Sequence, residues 1–401
     1  MKEKESNNKV ALVFISLYLF ILVFFSESQA LTNNGVVIPF IKFNPTYLLL
    51  AIIGLGFLYV LFFQNVKIDI ILVLLFVRIM LCLIPPLTGD VAASYLGNFI
   101  SACFPFFVYI FFRNCRIDIK KSTSIFILFG VIIALQCILA YFFIRTNGYA
   151  NYGDPFYKKY FVIPIGATND ASAALIPLFI VGDQVIPKFK LRFLYAVLML
   201  TAVFLCKSRT GMILCVAYLF YKLFIAERGK HSIIKKIMIL CIPAIGILFL
   251  PWFINSSLGS SVKELFLGFS EEGQGLNALF SGRLSLFGDV LEHISHHLIF
   301  GNGVSYEKLG FMRTHNVFLQ MAYENGLVGL MFFIVFLVVC IKTVYKVKDV
   351  NNYYHAFYIA TPFILINAMV EESMLTNFMI MFVLLFIASM VEMKEEELSN
   401  V

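Results

Sequence analysis

Apolar runs long enough to cross a lipid bilayer follow one another along almost the whole chain. A membrane-spanning helix needs about 20 mostly apolar residues. Hydrophobic residues make up 60% of the 401 residues and charged residues only 14%, whereas a soluble domain carries about 25% charged residues. This composition excludes a soluble globular protein and a disordered chain. It predicts a single all-α polytopic membrane domain over residues 1–401, with about twelve spans at 10–26, 45–63, 68–87, 95–112, 124–144, 162–182, 191–207, 210–226, 234–253, 316–340, 354–374 and 376–392.

The distribution of lysine and arginine predicts the orientation of these spans. With a cytoplasmic N-terminus, 20 of the 31 basic residues fall inside, 10 fall outside, and Arg78 lies within the third span. This excess agrees with the positive-inside rule and explains the net charge of +7 without nucleic acid. Both termini are therefore expected in the cytoplasm. The first run is followed by Ser28-Gln29-Ala30, so a cleaved signal peptide is the alternative to an uncleaved first span.

One predicted extracytoplasmic loop, residues 254–315, is much longer than ordinary connections, and long loops are usually functional or disordered. It begins with a stretch rich in serine and glycine. Apolar residues then recur at helical spacing, which predicts an amphipathic helix at the outer membrane interface. These residues are Leu284, Phe287, Leu291, Ile294 and Leu298.

Polar motifs concentrate on the predicted outer side. The first is Lys207-Ser208-Arg209-Thr210-Gly211, the basic turn, and Ser281-Gly282-Arg283 opens the amphipathic helix. Gly301-Asn302-Gly303 and Arg313-Thr314-His315-Asn316 follow, and then Glu324-Asn325-Gly326-x-x-Gly329. Taken singly, each segment also fits a structural role: charges that end helices, a solvated arginine, a histidine at a helix start, and glycines that allow close helix packing.

Taken in order, these segments resemble the bacterial O-antigen ligase and polymerase superfamily over about residues 160–345. The resemblance implies an all-helical fold, like that of other polyprenyl-phosphate-dependent glycosyltransferases, with a large outward loop over a lipid-facing cavity. It also implies transfer of a glycan from a polyprenyl diphosphate to an acceptor hydroxyl, with no metal or nucleotide cofactor. The essential residues of the family correspond to Arg209, Arg283 and His315.

The chemistry of these residue types agrees with that implication. A diphosphate leaving group gains negative charge, which permanently protonated arginines bind through paired hydrogen bonds. Arg209 and Arg283 are therefore expected at the donor diphosphate, with Lys207 as a weaker contributor. His315 is the candidate base for the acceptor hydroxyl. Further candidate substrate-binding residues are Arg78, Arg313, Asn316 and Glu324.

Several of these residues have alternative interpretations. Arg78 reaches into the donor cavity or pairs with an acidic or polar neighbour. Glu324 follows His315 by nine residues, about 13.5 Å along a straight helix and on roughly the opposite face, so a direct partnership is not expected. Asp170 holds the acceptor or marks a helix end, and the His293/His297 pair could bind a metal. An aromatic cluster belongs to a membrane-interface belt or stacks on sugar; its members are Tyr141, Tyr149, Tyr152, Phe156, Tyr157 and Tyr160.

The resemblance therefore implies a repeat-unit polymerase of O-antigen or capsule type, which we expect at the outer face of a bacterial plasma membrane. The alternatives are a ligase that delivers the glycan to lipid A core or another acceptor, and a flippase or transporter of lipid-linked sugars. A transporter would favour charged residues along a central pathway and paired half-repeats. The expected partners are an undecaprenyl-diphosphate-linked oligosaccharide, membrane lipid and a chain-length regulator protein; nucleic acid is not expected.

Overall fold

A computed structural model describes residues 2–26, 41–88, 95–152, 157–223, 283–304, 314–370 and 378–390. The helices within these ranges are α1 (Lys2–Phe24), α2 (Pro45–Phe63), α3 (Ile70–Thr88), α4 (Tyr95–Asn114), α5 (Ile119–Thr146), α6 (Tyr157–Tyr160), α7 (Thr168–Val185), α8 (Phe189–Leu205), α9 (Arg209–Tyr221), α10 (Arg283–His296), α11 (Val317–Val347), α12 (Asn352–Val370) and α13 (Phe378–Ala388). The strands are β1 (Phe25–Ser26) and β2 (Ile41–Lys42), which pair in parallel, and β3 (Val162–Ile163) and β4 (Gly166–Ala167), which pair antiparallel.

The helices have the length and composition of a multi-pass membrane protein. Among the described residues, α2, α4, α5 and α11 are long and apolar enough to cross a membrane. Shorter apolar helices lie at Asn8–Phe24, Ile70–Pro85, Arg209–Tyr221 and Phe378–Ala388. The prediction of an all-α membrane protein is confirmed, whereas the number of twelve spans stays a prediction. The predicted ninth span, 234–253, lies outside the described residues.

Local capping signals set where several helices begin. Asn44 accepts a hydrogen bond from the Thr46 backbone N–H, and Pro45 occupies the first turn of α2, where a missing N–H costs nothing. Asp118 caps α5 by accepting from the Lys121 N–H. Such caps satisfy backbone donors that have no partner inside the helix.

Helix α7 forms the centre of the bundle and packs against α5, α8, α9 and α12. Every residue from Ala171 to Asp183 is buried, as expected for a helix enclosed on all sides. The predicted sixth span began too early, because residues 162–167 form the β3–β4 hairpin. Pro164 lies between the two strands, and Gly166 is the first residue of β4. Asp170 marks the helix end, since its carboxylate accepts from the Ala167 N–H at 3.3 Å.

Two ion pairs tie helices together on the side predicted to be cytoplasmic. Asp183, only 3% exposed, accepts hydrogen bonds from Tyr218 at 2.6 Å and from Lys222. Asp69 at the start of α3 pairs with Arg113 at the end of α4, 2.9 Å away. A buried charge such as that of Asp183 is tolerated when it is paired, and the two ion pairs link α3 to α4 and α7 to the end of α9.

Candidate active site

The basic turn joins α8 to α9 in a strained conformation. Lys207 has a left-handed backbone, with φ of 54°, which costs a residue with a side chain about 1–3 kcal/mol. Ser208 then caps α9 by accepting from the Gly211 N–H at 3.3 Å. Arg209 is the first residue of α9 and is partly exposed, whereas Lys207 is only 7% exposed.

Two tyrosines of the aromatic cluster hold this turn from one side. The hydroxyls of Tyr152 and Tyr157 donate to the carbonyl oxygens of Phe204 and Leu205, each at 2.8 Å. These are the last two carbonyls of α8, and that of Phe204 also accepts from the Lys207 N–H at 3.0 Å. Burial raises the pKa of both tyrosines, so their hydroxyls remain protonated donors. The Lys207 ammonium lies 5.6 Å from the centre of the Tyr152 ring, within range of a cation–π contact.

These contacts predict that Tyr157→Phe lowers the stability of the protein. The substitution keeps the ring but removes the donor to the Leu205 carbonyl, and leaving a buried acceptor unsatisfied costs about 1–3 kcal/mol. Thermal unfolding of the detergent-solubilised protein measures the effect. Tyr160→Phe is the matched control, because it also removes a tyrosine hydroxyl from the same aromatic cluster. The Tyr160 ring stacks on the Tyr149 ring, with 5.5 Å between the ring centres. Equal unfolding midpoints for wild type and Tyr157→Phe would contradict this role.

Residues 314–316 of the Arg313-Thr314-His315-Asn316 motif form the turn that precedes α11, which we call the histidine turn. His315 has a left-handed backbone with φ of 51°. The Asn316 side-chain oxygen caps α11 by accepting from Phe318 and Leu319, at 2.9 and 3.1 Å. The Asn316 amide nitrogen donates to the carbonyl oxygen of Met369 in α12 at 2.8 Å. The turn is therefore fixed to α12 on its C-terminal side, and Asn316 has a structural role besides its predicted contact with substrate.

Helix α11 breaks at Gly326, whose φ is 66°. Two carbonyls exposed by the break, of Tyr323 and Glu324, accept from Asn302 and Gly303 at 2.7 and 2.9 Å. Beyond the break, the N–H groups of Leu327 and Val328 donate to the carbonyls of Leu298 and Ile299. Residues 298–303, which we call the brace, thus replace the lost helical hydrogen bonds. Such replacement is required within a bilayer, where no water is present to bind the backbone.

The brace explains why two glycine motifs distant in sequence occur together. At Gly301 (φ 75°), a side chain would lie 2.5 Å from the Asn325 backbone nitrogen, and at Gly326 it would overlap the Ile299 carbonyl. Gly326 was predicted to allow close helix packing, which is wrong, since it interrupts the helix and contacts the brace instead. Gly329 lies in the helix after the break, beside Asn325.

A largely buried ion pair joins α11 to α3 just before the break at Gly326. The Arg78 guanidinium lies 3.5 Å from the Glu324 carboxylate, and their side chains are 13% and 6% exposed. Glu324 also accepts from the amide nitrogen of Gln320, one turn earlier. Arg78 forms part of the wall of a pocket of about 40 Å³ whose other walls are mainly apolar. The interpretation in which Arg78 pairs with an acidic neighbour is thus confirmed, and its place in a donor cavity stays a prediction.

Helix α10 confirms that the long loop contains a helix, which begins at Arg283. It packs on α11 through Val290 and Ile294, against Ala322 and Tyr323. Leu291 and Leu298, which were predicted on the apolar face, are 55% and 47% exposed. Ile294 of the predicted face is buried against α11, and the position of the helix at the outer membrane interface stays a prediction.

Several sequence predictions concern residues that the structure does not describe. Arg313, Phe156 and most of the loop 254–315 lie outside the described residues, and of Arg283 only the backbone is described. The convergence of Arg209, Arg283 and His315 stays a prediction. Within the described part of the chain, no three His, Cys, Asp or Glu side chains are grouped as metal ligands.

Sequence reasoning missed Gln320 and the role of Tyr152 and Tyr157. Gln320 is fully buried and lies between Glu324 and the histidine turn. One signal was available, because Gln320 and Glu324 are polar residues four apart in an apolar run, a spacing that places them on the same helix face. No comparable signal connects either tyrosine to α8.

Comparison with known proteins identifies the segment that carries these features. Residues 194–334 match the family model described as O-antigen ligase. The comparison with curated proteins gave no match. The matched segment includes the basic turn, Arg283, the brace, the histidine turn and the break in α11. Proteins of this family are glycosyltransferase-like enzymes that act on lipid-linked glycans. The match over residues 194–334 supports membership in the O-antigen ligase and polymerase superfamily.

Proposed function

We propose that the protein polymerises undecaprenyl-diphosphate-linked oligosaccharide repeat units into O-antigen or capsular polysaccharide. One observation supports this most directly. Among the described residues, Lys207 and His315 are the non-glycine residues with positive φ, and both belong to the segment that matches the O-antigen ligase family. Strained backbone is retained mainly at functional sites, and these two turns carry the predicted phosphate-binding and base residues.

In the proposed reaction, an acceptor sugar hydroxyl attacks the anomeric carbon of the donor glycan. The new glycosidic bond forms as the bond from that carbon to the diphosphate oxygen breaks, and polyprenyl diphosphate leaves. Arg209 and Arg283 bind the diphosphate and stabilise its developing charge, assisted by Lys207. His315 accepts the proton of the attacking hydroxyl. The residues of this chain thus supply both the electrostatic stabilisation and the base.

The other predicted substrate-binding residues are assigned by position. Arg313 and Asn316 flank His315, and we propose that they contact the sugars. Arg78 and Glu324 border the site as the observed ion pair. We propose that the reaction takes place at the outer face of a bacterial plasma membrane, with both termini in the cytoplasm. A chain-length regulator protein is a proposed partner.

A ligase is the second candidate, because the matching family model is itself described as O-antigen ligase. A polymerase uses a second lipid-linked unit as acceptor, whereas a ligase delivers the glycan to lipid A core or another acceptor. The distinction lies in the acceptor, since both reactions use the same donor chemistry. An experiment with defined acceptors therefore separates them.

The test uses purified full-length protein and lipid-linked repeat units extracted from cells that lack it, with and without lipid A core. We expect a ladder of products from repeat units alone. A single transfer that requires the core would establish the ligase. If cells without the protein fail to present lipid-linked units at the outer face, and the purified protein transfers no glycan, the transporter alternative replaces both.

A further inference from the structure

A continuous chain of buried side chains runs from α3 to the histidine turn. Arg78 pairs with Glu324, Glu324 accepts from Gln320, and the Gln320 side-chain oxygen lies 3.0 Å from the hydroxyl of Thr314. Gln320 and Thr314 are fully buried, and Glu324 is 5% exposed. We propose that Gln320 is a positioning residue for His315, and that the Arg78–Glu324 ion pair acts on the site through it. This inference rests on the proposed function of His315.

The ion pair sets the orientation of the Gln320 amide. The Arg78 guanidinium is permanently protonated, so Glu324 is favoured as a carboxylate, which only accepts. The amide nitrogen of Gln320 must therefore face Glu324. The amide oxygen consequently faces the Thr314 hydroxyl, which lies 3.0 Å from this oxygen and 3.0 Å from the Asn316 carbonyl oxygen. The charge on α3 thus places a hydrogen-bond acceptor against a hydroxyl next to His315.

The histidine turn needs such support because of its backbone. A left-handed residue with a side chain costs about 1–3 kcal/mol and persists only where its surroundings enforce it. Asn316 fixes the turn from the C-terminal side through the Met369 carbonyl. Thr314 fixes it from the N-terminal side through Gln320. His315 therefore lies between two anchors, one on α12 and one leading to α3.

Positioning predicts a specific kinetic effect. Displacement of a catalytic group by about 1 Å lowers the rate by up to about 100-fold. We expect Gln320→Leu to lower kcat about 10- to 100-fold without changing the KM for the lipid-linked donor, because the proposed ligands of the donor diphosphate are Arg209, Arg283 and Lys207 rather than Gln320. Gln320→Glu alone places a second carboxylate beside Glu324 and should lower kcat at least as much.

The sharpest variant exchanges the two groups. Gln320→Glu combined with Glu324→Gln keeps the total charge: the new carboxylate accepts from Thr314 and from the new amide, whose oxygen accepts from Arg78. The hydrogen bond between positions 320 and 324 is reversed, but every donor still faces an acceptor, so this double variant should recover kcat to within about 10-fold of wild type. Gln136→Leu is the matched control. It removes a buried amide of α5, which donates to the Val23 carbonyl at 2.8 Å outside the chain, and should leave kcat per folded protein unchanged.

Each result decides the question. Low kcat in both single variants with recovery in the exchange supports the inference. Unchanged kcat per folded protein in Gln320→Leu overturns it, and so does an exchange variant that stays as inactive as the single variants. If the wild-type protein transfers no glycan from lipid-linked units, the proposed function itself fails and the inference fails with it. That outcome is recognised from the wild type alone, before any variant is measured.

Discussion

Replacing Arg209 by Ala is expected to lower glycan transfer by about 100- to 1000-fold, the usual effect of removing one donor that stabilises transition-state charge. Arg209 begins α9 directly after the strained Lys207 and the Ser208 cap. Its backbone position is therefore set by local structure that the substitution leaves in place. The ladder assay with purified protein and lipid-linked units measures the effect, and the protein should still be inserted and folded.

Two further variants make this prediction specific to the guanidinium. Arg209→Lys keeps the charge but not the paired hydrogen bonds, so we expect it to restore only part of the activity. Arg145→Ala is the matched control, since Arg145 is an exposed arginine in the last turn of α5 on the same predicted side of the membrane. Transfer by Arg209→Ala at the rate of Arg145→Ala would exclude Arg209 from the reaction.

Gly326→Ala is expected to reduce the yield of folded protein severely. The left-handed backbone alone costs alanine about 1–3 kcal/mol, and the added carbon overlaps the Ile299 carbonyl of the brace. The overlapped atom is backbone, so it cannot rotate away, and the hydrogen bonds between brace and helix would be lost with it. Total stabilities of about 5–15 kcal/mol leave little margin for such a change.

The recovery of monodisperse protein in detergent and its thermal unfolding test this expectation. Gly54→Ala is the control, because Gly54 lies within α2 and a carbon added there meets no atom within 4 Å. Alanine is favoured over glycine inside a helix by about 1 kcal/mol, so this control should be neutral or stabilising. Equal recovery of both variants would mean that the break in α11 does not depend on glycine.

Much of the candidate site was predictable because its motifs act locally. Ser208 and Asn316 cap helices within their own turns, and such caps depend only on neighbouring residues. The positions of Arg209 and His315 at helix starts follow from them. The position of Gly326 was visible in the sequence, but its effect was not, because a glycine in an apolar run fits close helix packing as well as a break.

The hairpin at 162–167 shows the limit of hydropathy as a guide. Its apolar residues continue into α7, and the pattern alone indicated one longer helix. Pro164 and Gly166 disfavour that helix locally, and the hairpin forms instead. The apolar character of this segment was predicted correctly. Its backbone conformation depends on Pro164 and Gly166, whose effect does not appear in the mean hydropathy.

The sequence by itself determined an all-helical, multi-pass membrane protein whose motif order resembles the O-antigen ligase and polymerase superfamily. Apolar length and motif order are properties of short segments, and each can be recognised without knowing what packs beside it. Only the tertiary structure paired Arg78 with Glu324, set Gln320 between that pair and the histidine turn, and placed the brace against Gly326. Those contacts join residues far apart in the chain, and their partners are selected by packing and by the need to satisfy buried polar groups.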